Sequence, residues 1–468
     1  MEITLKLEKN DFDITILGAG PGGYTAAIEA ERMGLKVLLV DNNKIGGTCL
    51  HNGCIPTKSL LKSAELYCEI KNSLNKSITS EDLNFNFDTI IENSKKNVKR
   101  LSSGVEHLIS SKEIEYVNGF GFFKDKQTLI VNEKNSKIKI KSDKFIIATG
   151  SKPYHPSKFK PDNINIYDSD GILNIKKCPE SILIIGGGYI GIEFAYFFNS
   201  YGSKVTIVEN QNSILGNLDS DLLVDFKKNF KRQGIKILEN ANIKEIYENN
   251  SNLRVEIKCD EDIIDSNFEN ILVATGRLPN TKDINLEKIG VILDDRGFIK
   301  INEKYQSSID NIYAIGDVTG GKMLAHRASD DGMKIINSIY KNEIFSISYI
   351  PSCIYCQPEI ASIGLTEEEI MSSGIEYNKS ISNFKSNGKS IAQGEVRGFC
   401  KIMVDKNLQI LGAHIIGKGA TEMISELNLV MSNNLTINEI IKTIHPHPTL
   451  SEIIFECCLN LIGRTRHG

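Results

Sequence analysis

Short apolar runs that stop at a glycine punctuate the first two thirds of the chain. Ile14, Ile16 and Leu17 read as a strand, a glycine turn and a helical stretch follow, and residues 37–40 read as a second strand. Residues 181–209 repeat that order. Gly18, Gly20, Gly23, Gly34, Lys36 and Val37 recur 168 positions on as Gly186, Gly188, Gly191, Gly202, Lys204 and Val205, and Asp41 recurs as Glu209. Strands alternating with helices in this way predict parallel α/β units. Residues 145–150 (FIIATG), 271–276 (ILVATG) and 312–317 (IYAIGD) are further apolar strands ending in a turn, the last closing on an acid. Beyond residue 348 the pattern changes. A hairpin is predicted from residues 399–404 and 409–416, joined through 405–407, and amphipathic helices follow it. The last of these sets Leu450, Ile453, Ile454, Cys457, Cys458 and Leu461 on one helical stripe.

The two ATG segments bracket residues 151–276, which reads as a domain inserted into a first domain covering 1–150 and resuming over 277–347. Residues 348–468 form a third, α+β domain. A length of 468 residues fits about three domains. The fold class expected is α/β, with two Rossmann-like dinucleotide-binding domains and a C-terminal α+β domain.

Each glycine fingerprint follows a strand, opens a helix and has an acid about 20 residues on, as dinucleotide sites require. The glycines permit a tight turn and let the backbone approach a pyrophosphate at the helix N-terminus, and the acid accepts from a ribose diol. Two dinucleotides are expected. No Arg or Lys stands among residues 210–212 after Glu209, so the second site should prefer NAD to its 2′-phosphorylated form.

Composition narrows the class. Hydrophobic residues are 41% and charged residues 24%, which is ordinary for a globular chain. Lys+Arg 55 against Asp+Glu 59 leaves a net charge of −4 without a basic concentration, so neither nucleic acid nor an anionic membrane is an expected partner. Residues 1–13 lack the apolar run of a secretory signal. The apolar run 181–198 holds three consecutive glycines and Glu193, and reads as strand, turn and helix rather than a membrane span. A cytoplasmic protein is expected. Ten cysteines without an export signal are mostly buried small hydrophobes.

One pair differs. In GGTCLHNGCIPTK (46–58), Cys49 and Cys54 flank a short loop, and Pro56 marks a helix start near residues 53–55. Cys54 would then sit at a helix N-terminus, with Lys58 one turn on, an arrangement that depresses a thiol pKa. A thiolate, a cation and a neighbouring thiol are what thiol–disulfide exchange needs. Zinc would want further ligands, and only His51 is local, so no metal is expected. Two structural thiols at a turn are the remaining alternative.

This loop resembles the active-site motif of the flavin-dependent pyridine nucleotide–disulfide oxidoreductases, and among them those that act on dihydrolipoamide. The likeness extends to both fingerprints, to residues 314–317 and 323–326, to PEIA at 358–361 and to HPTLSE at 447–452. It implies that FAD is held by Gly18, Gly20, Gly23, Asp41, Gly47, Thr48, Lys58, Gly150 and Asp317, with Met323, Leu324, Ala325 and His326. It implies that NAD is held by Gly186, Gly188, Tyr189, Gly191, Glu209 and Gly276, with Tyr189 covering the flavin until NAD displaces it. By the same resemblance Cys54 faces the flavin, Cys49 exchanges with substrate, and Lys58 pairs with Glu193. The exchange also needs a base, because a substrate thiol of pKa about 8.5 is mostly protonated at neutral pH. His447, oriented by Glu452, is the candidate. In the family this histidine reaches the flavin site of the other subunit, which implies a homodimer and makes residues 348–468 the dimerisation domain. The implied macromolecular partner is the lipoylated acyltransferase of a 2-oxo acid dehydrogenase complex or the H-protein of glycine cleavage. The chain departs from the family at Pro446, which restricts the backbone of His445.

A glutathione- or mercuric-type reductase is the rival within the class, and Glu209 counts against it. Cys353 and Cys356 read as strand or turn cysteines, Cys457 and Cys458 as core, and His445 as a supporting residue. His51, His107, His155 and His414 receive no role.

Overall fold

Strands buried on both faces read as near-continuous apolar runs, and in the first sheet residues 37–40 and 145–147 are such runs. The computed structural model describes residues 5–73, 83–134, 136–249, 252–345 and 349–466. In spatial order the first sheet runs Ile114–Asn118, Val37–Asp41, Leu5–Leu17, Lys137–Ile147, Thr128–Asn132 and Phe120–Asp125. The first four are parallel, and the last two form an antiparallel hairpin against the long strand. Ile312–Ala314 adds in parallel to the end of that strand, pairing Ile312 with Phe145. Ile14, Ile16, Leu38, Leu39 and Val40 are fully buried.

The second sheet is wholly parallel, in the order Lys236–Leu238, Lys204–Val208, Ser181–Ile185, Asn270–Val273 and Ile166–Asp168. The apolar run from residue 181 splits into the strand Ser181–Ile185 and the helix Tyr189–Ser200, parted by the glycine turn. No helix among the described residues is long and apolar enough to cross a membrane. A three-stranded antiparallel sheet (Ala241–Asn249, Asn252–Cys259, Asp262–Phe268) precedes the strand Asn270–Val273. Where the chain passes between the first two sheets, Ser151–Pro153 pairs antiparallel with Arg277–Pro279.

The third sheet is antiparallel throughout, in the order Ser352–Ile354, Ile360–Gly364, Ile410–Ile416, Phe399–Val404 and Asn378–Asn383. The expected hairpin is its centre. The helices Ala420–Ser432 and Glu452–Leu461 cover it, and Cys457 and Cys458 are fully buried beneath them, as the helical stripe required. One residue breaks the apolar pattern: Lys401, in the strand Phe399–Val404, is 0% exposed and meets Asp219, also 0% exposed, from the loop before the helix Ser220–Arg232. Burying an ion costs several kcal/mol unless partners surround it, and here they do.

Candidate active site

The first glycine turn follows the strand Leu5–Leu17, with Gly18 at φ 109° and its missing Cβ standing 2.2 Å from the Ala148 carbonyl oxygen. Only glycine fits there. A Cβ on Gly23 would lie 1.8 Å from the Gly18 carbonyl oxygen, so Gly23 sets the close approach of the helix Pro21–Arg32, whereas Gly20 faces open space. The second turn repeats this: Gly186 at φ 108°, Gly191 crowding its carbonyl at 2.1 Å, and Gly188 open. The acids repeat as well. Asp41 accepts from the Ala19 amide (2.6 Å) and the Asn43 amide (2.7 Å), and Glu209 accepts from the Gly187 amide (2.7 Å) and the Gln211 amide (2.8 Å). Each carboxylate oxygen keeps a lone pair for a hydroxyl donor.

A cavity of about 1740 Å³ opens at the carboxyl ends of the parallel strands, where ligands of open α/β sheets bind. It exceeds the roughly 300–1,000 Å³ of one small-molecule site, which fits an extended dinucleotide with a second ligand beside it. Of the residues expected to hold FAD, all but Gly23 line it, and for NAD, Gly188, Tyr189 and Gly276 line it. Gly186 and Gly191 pack the turn instead, and Glu209 lies behind it on backbone amides. The open cradle at Gly20, the carboxylate at Asp41 and the cavity volume together fit a flavin dinucleotide.

The segment expected as a loop around Cys49 is a helix, Gly47–Asn52, broken at Gly53 and followed by the helix Cys54–Ser73. The correction has a local cause: Gly46 at φ 106° and Gly47 at φ 60° reverse the chain sharply enough to start a helical turn at once. Cys49 and Cys54 are half-buried free thiols lining the cavity. The hydrogen bond from the Cys49 thiol holds Cys54 down at about 7 against burial, Lys58 helps, and Glu193 opposes. That same bond, with burial, pushes Cys49 well up. The lowering thus comes chiefly from the neighbouring thiol, which sequence reasoning had assigned to the helix start and Lys58.

Lys58 Nζ lies 3.0 and 2.9 Å from the two Glu193 carboxylate oxygens, and Glu193 is 5% exposed. The Tyr355 amide donates to Glu193 Oε1 (3.3 Å), and the Tyr355 ring centroid lies 4.6 Å from Lys58 Nζ. Tyr189 lines the cavity, its phenol pushed up by burial, and Asn217 Nδ2 donates to its hydroxyl at 3.4 Å. Asp317 accepts from Ser151 Oγ (2.6 Å), which accepts from Arg277 Nε (2.7 Å). Sequence reasoning missed Ser151, Arg277 and Tyr355. The first two had a signal, since each directly follows one of the related ATG turns.

His326 lines the cavity with Met323, Leu324 and Ala325, and its Nε2 lies 2.9 Å from the Pro351 carbonyl. Cys353 also lines the cavity, with burial lifting its thiol to about 11, while Cys356 is fully buried. His447 and Glu452 are not in the cavity. His447 Nδ1 lies 2.9 Å from Glu452 Oε1, the Thr449 amide donates to Oε2 (2.8 Å), and the ring is 76% exposed. Burial would raise Glu452, but the Thr449 amide and His447 bring it below the ordinary carboxylate value. His445 pairs with Glu426 at 2.9 Å against the Phe455 ring. His414, given no role from sequence, is buried with its Nε2 3.0 Å from the Leu365 carbonyl. One chain therefore unites Cys49, Cys54, Lys58 and Glu193 and leaves His447 with Glu452 outside.

Residues 12–332 match the family model described as pyridine nucleotide-disulphide oxidoreductase, and residues 350–457 match its dimerisation domain. The chain is 39% identical over 464 residues to a dihydrolipoyl dehydrogenase of Zymomonas mobilis, covering 97% of this chain and 99% of that one. It is 36% identical to the dihydrolipoyl dehydrogenase of Geobacillus stearothermophilus, covering 97% and 96%. Among solved structures, the HOCl-induced flavoprotein disulfide reductase RclA of Escherichia coli aligns with a TM-score of 0.85 at 28% identity, over 96% of this chain and 99% of that one. LpdA of Mycobacterium tuberculosis aligns with a TM-score of 0.90 over 96% and 99%, and at 22% identity shows the shared fold.

Proposed function

The chain belongs to the pyridine nucleotide–disulphide oxidoreductase family, and from that premise we propose that it catalyses the dihydrolipoyl dehydrogenase reaction. It oxidises dihydrolipoamide to lipoamide and reduces NAD⁺ to NADH. The observation that carries this reading is the Cys49–Cys54 pair, open to the cavity, with one thiol near pKa 7 and the other its hydrogen-bond donor.

In the oxidised protein the two sulfurs form a disulfide. A substrate thiolate attacks the Cys49 sulfur, the bond to Cys54 breaks, and Cys54 leaves as a thiolate stabilised as described above. The second substrate thiolate attacks the substrate sulfur of the mixed disulfide, closing lipoamide and releasing Cys49, which takes a proton. His447 of the partner subunit is the base for the substrate thiols, oriented by Glu452. FAD, when bound, carries the electron pair from the dithiol to NAD⁺. Gly18, Gly20 and Asp41 would receive its adenosine diphosphate part, Asp317 a ribityl hydroxyl, and the Lys58–Glu193 pair would set the charge beside its ring. The second glycine turn and Glu209 would hold NAD, with Tyr189 as the movable cover. In domain terms, residues 1–150 and 277–347 carry the flavin, 151–276 carry NAD, and 348–468 pair the subunits. The lipoylated acyltransferase of a 2-oxo acid dehydrogenase complex, or the glycine-cleavage H-protein, delivers the dithiol.

Steady-state assay of the flavin-loaded protein tests this. NADH formation from NAD⁺ and dihydrolipoamide is expected, with NADP⁺ a poor acceptor. Turnover of glutathione disulfide with NADPH, and none with dihydrolipoamide and NAD⁺, would overturn it.

A further inference from the structure

Lys401 uses its ammonium on three carboxylates: Asp219 at 2.9 and 3.0 Å, Asp221 at 2.6 Å and Glu367 at 2.6 Å. Lys401 and Glu367 stand in the C-terminal part of the chain, while Asp219 and Asp221 begin the helix Ser220–Arg232 beside the second parallel sheet. Removing one partner of such a buried cluster leaves an uncompensated charge, so each member depends on the others staying in place.

What that geometry holds follows from the residues before Asp219. The Leu218 amide donates to the Leu215 carbonyl (2.9 Å), and the Leu215 amide donates to the Gly187 carbonyl (3.0 Å) inside the second glycine turn. Ile214 packs so closely on Gly187 that a Cβ there would stand 2.4 Å from its Cγ2. Asn217, in the same segment, donates to the Tyr189 hydroxyl. A continuous series of contacts thus runs from the Lys401 ammonium to the turn and to its tyrosine.

We infer that Lys401 is a positioning residue for the nicotinamide dinucleotide: through Asp219 it holds segment 213–219 against Gly187 and Tyr189, and so sets the affinity of the second glycine turn for NAD⁺. This rests on the proposed function, which supplies NAD⁺ as the ligand.

The test uses holoenzyme carrying Lys401→Met, with two readouts. Calorimetric titration of the oxidised protein with NAD⁺ is expected to show a Kd raised tenfold or more. Anaerobic stopped-flow reduction by dihydrolipoamide without NAD⁺ is expected to stay within twofold of wild type, and Lys401→Arg to restore most of the NAD⁺ affinity. Unchanged Kd, or equal losses in both readouts, overturns the inference. Should the single variant not fold, Lys401→Met with Asp219→Asn removes the unpaired buried carboxylate and is expected to show the same weakened NAD⁺ binding. If neither variant folds, or the double variant binds as wild type, the cluster serves folding alone and the inference falls. A wild-type protein that binds no NAD⁺ refutes the functional reading instead. One that binds NAD⁺ but ignores dihydrolipoamide refutes only its substrate.

Discussion

Cys54 and Cys49 share a cavity wall, yet their thiols are driven apart because one donates to the other. Removing that donor is a single-residue experiment. In Cys49→Ala, burial and Glu193 still disfavour the Cys54 thiolate and only Lys58 among the side chains still favours it, so its titration should move up from about 7, toward or beyond the ordinary thiol value of about 8.5. The pH dependence of iodoacetamide alkylation, read by mass spectrometry, checks this. An inflection that stays in place would assign the lowering to Lys58 and the helix start. The acids Asp41 and Glu209 teach a related lesson, since strand-end position put both in the right place while the backbone amides they accept from appear only in the folded turn.

Between elements, the cluster around Lys401 ties the strand Phe399–Val404 to the helices Glu367–Ser373 and Ser220–Arg232. Burial alone would raise Glu367, but hydrogen bonds from Lys379, Lys401 and Tyr377 hold it down at about 2. Its folded value is below the ordinary value of about 4.3, so its stabilisation is full above that pH. The contribution is lost as pH falls toward about 2. Glu367→Gln is therefore expected to cost about 1.5–3 kcal/mol near neutrality, the range for hydrogen bonds to a charged partner. Melting curves across the acid range should show the gap to wild type closing as pH drops. A gap independent of pH would mean that the carboxylate acts by packing and not by charge.

At the scale of the molecule, the C-terminal sheet and its helices leave Ile444 (93% exposed), Met371 (65%), Leu429 (63%) and Ile391 (59%) uncovered in the part that matches a dimerisation domain. A second copy gives such surfaces a partner, and it also bears on His447, which one chain keeps apart from its cysteines. Inactive Cys49→Ala and His447→Gln proteins, refolded together, should then form hybrids with one intact site. Random pairing of equal amounts predicts about a quarter of wild-type activity. Each homodimer should remain near background, the histidine variant down by about 10²–10⁴-fold for loss of a general base. A mixture no more active than its components would place the base in the same chain as the thiols.

Short-range rules made much of this legible in advance. Glycine sterics, strand and helix periodicity and the proline at a helix start act within a few residues, so both fingerprints, the helix beginning at Cys54, the hairpin and the buried stripe of the last helix are written locally. Partner choice across long separations is not. Asp317 meets Ser151 across 166 positions and Lys401 meets Asp219 across 182, while Lys58 with Glu193, across 135, is implied by the family resemblance and by no local rule. No period encodes those pairings, because they depend on how whole sheets and helices are set against one another. Only the tertiary structure decided that a lysine in a strand would be buried among carboxylates and that a thiol would tune its neighbour.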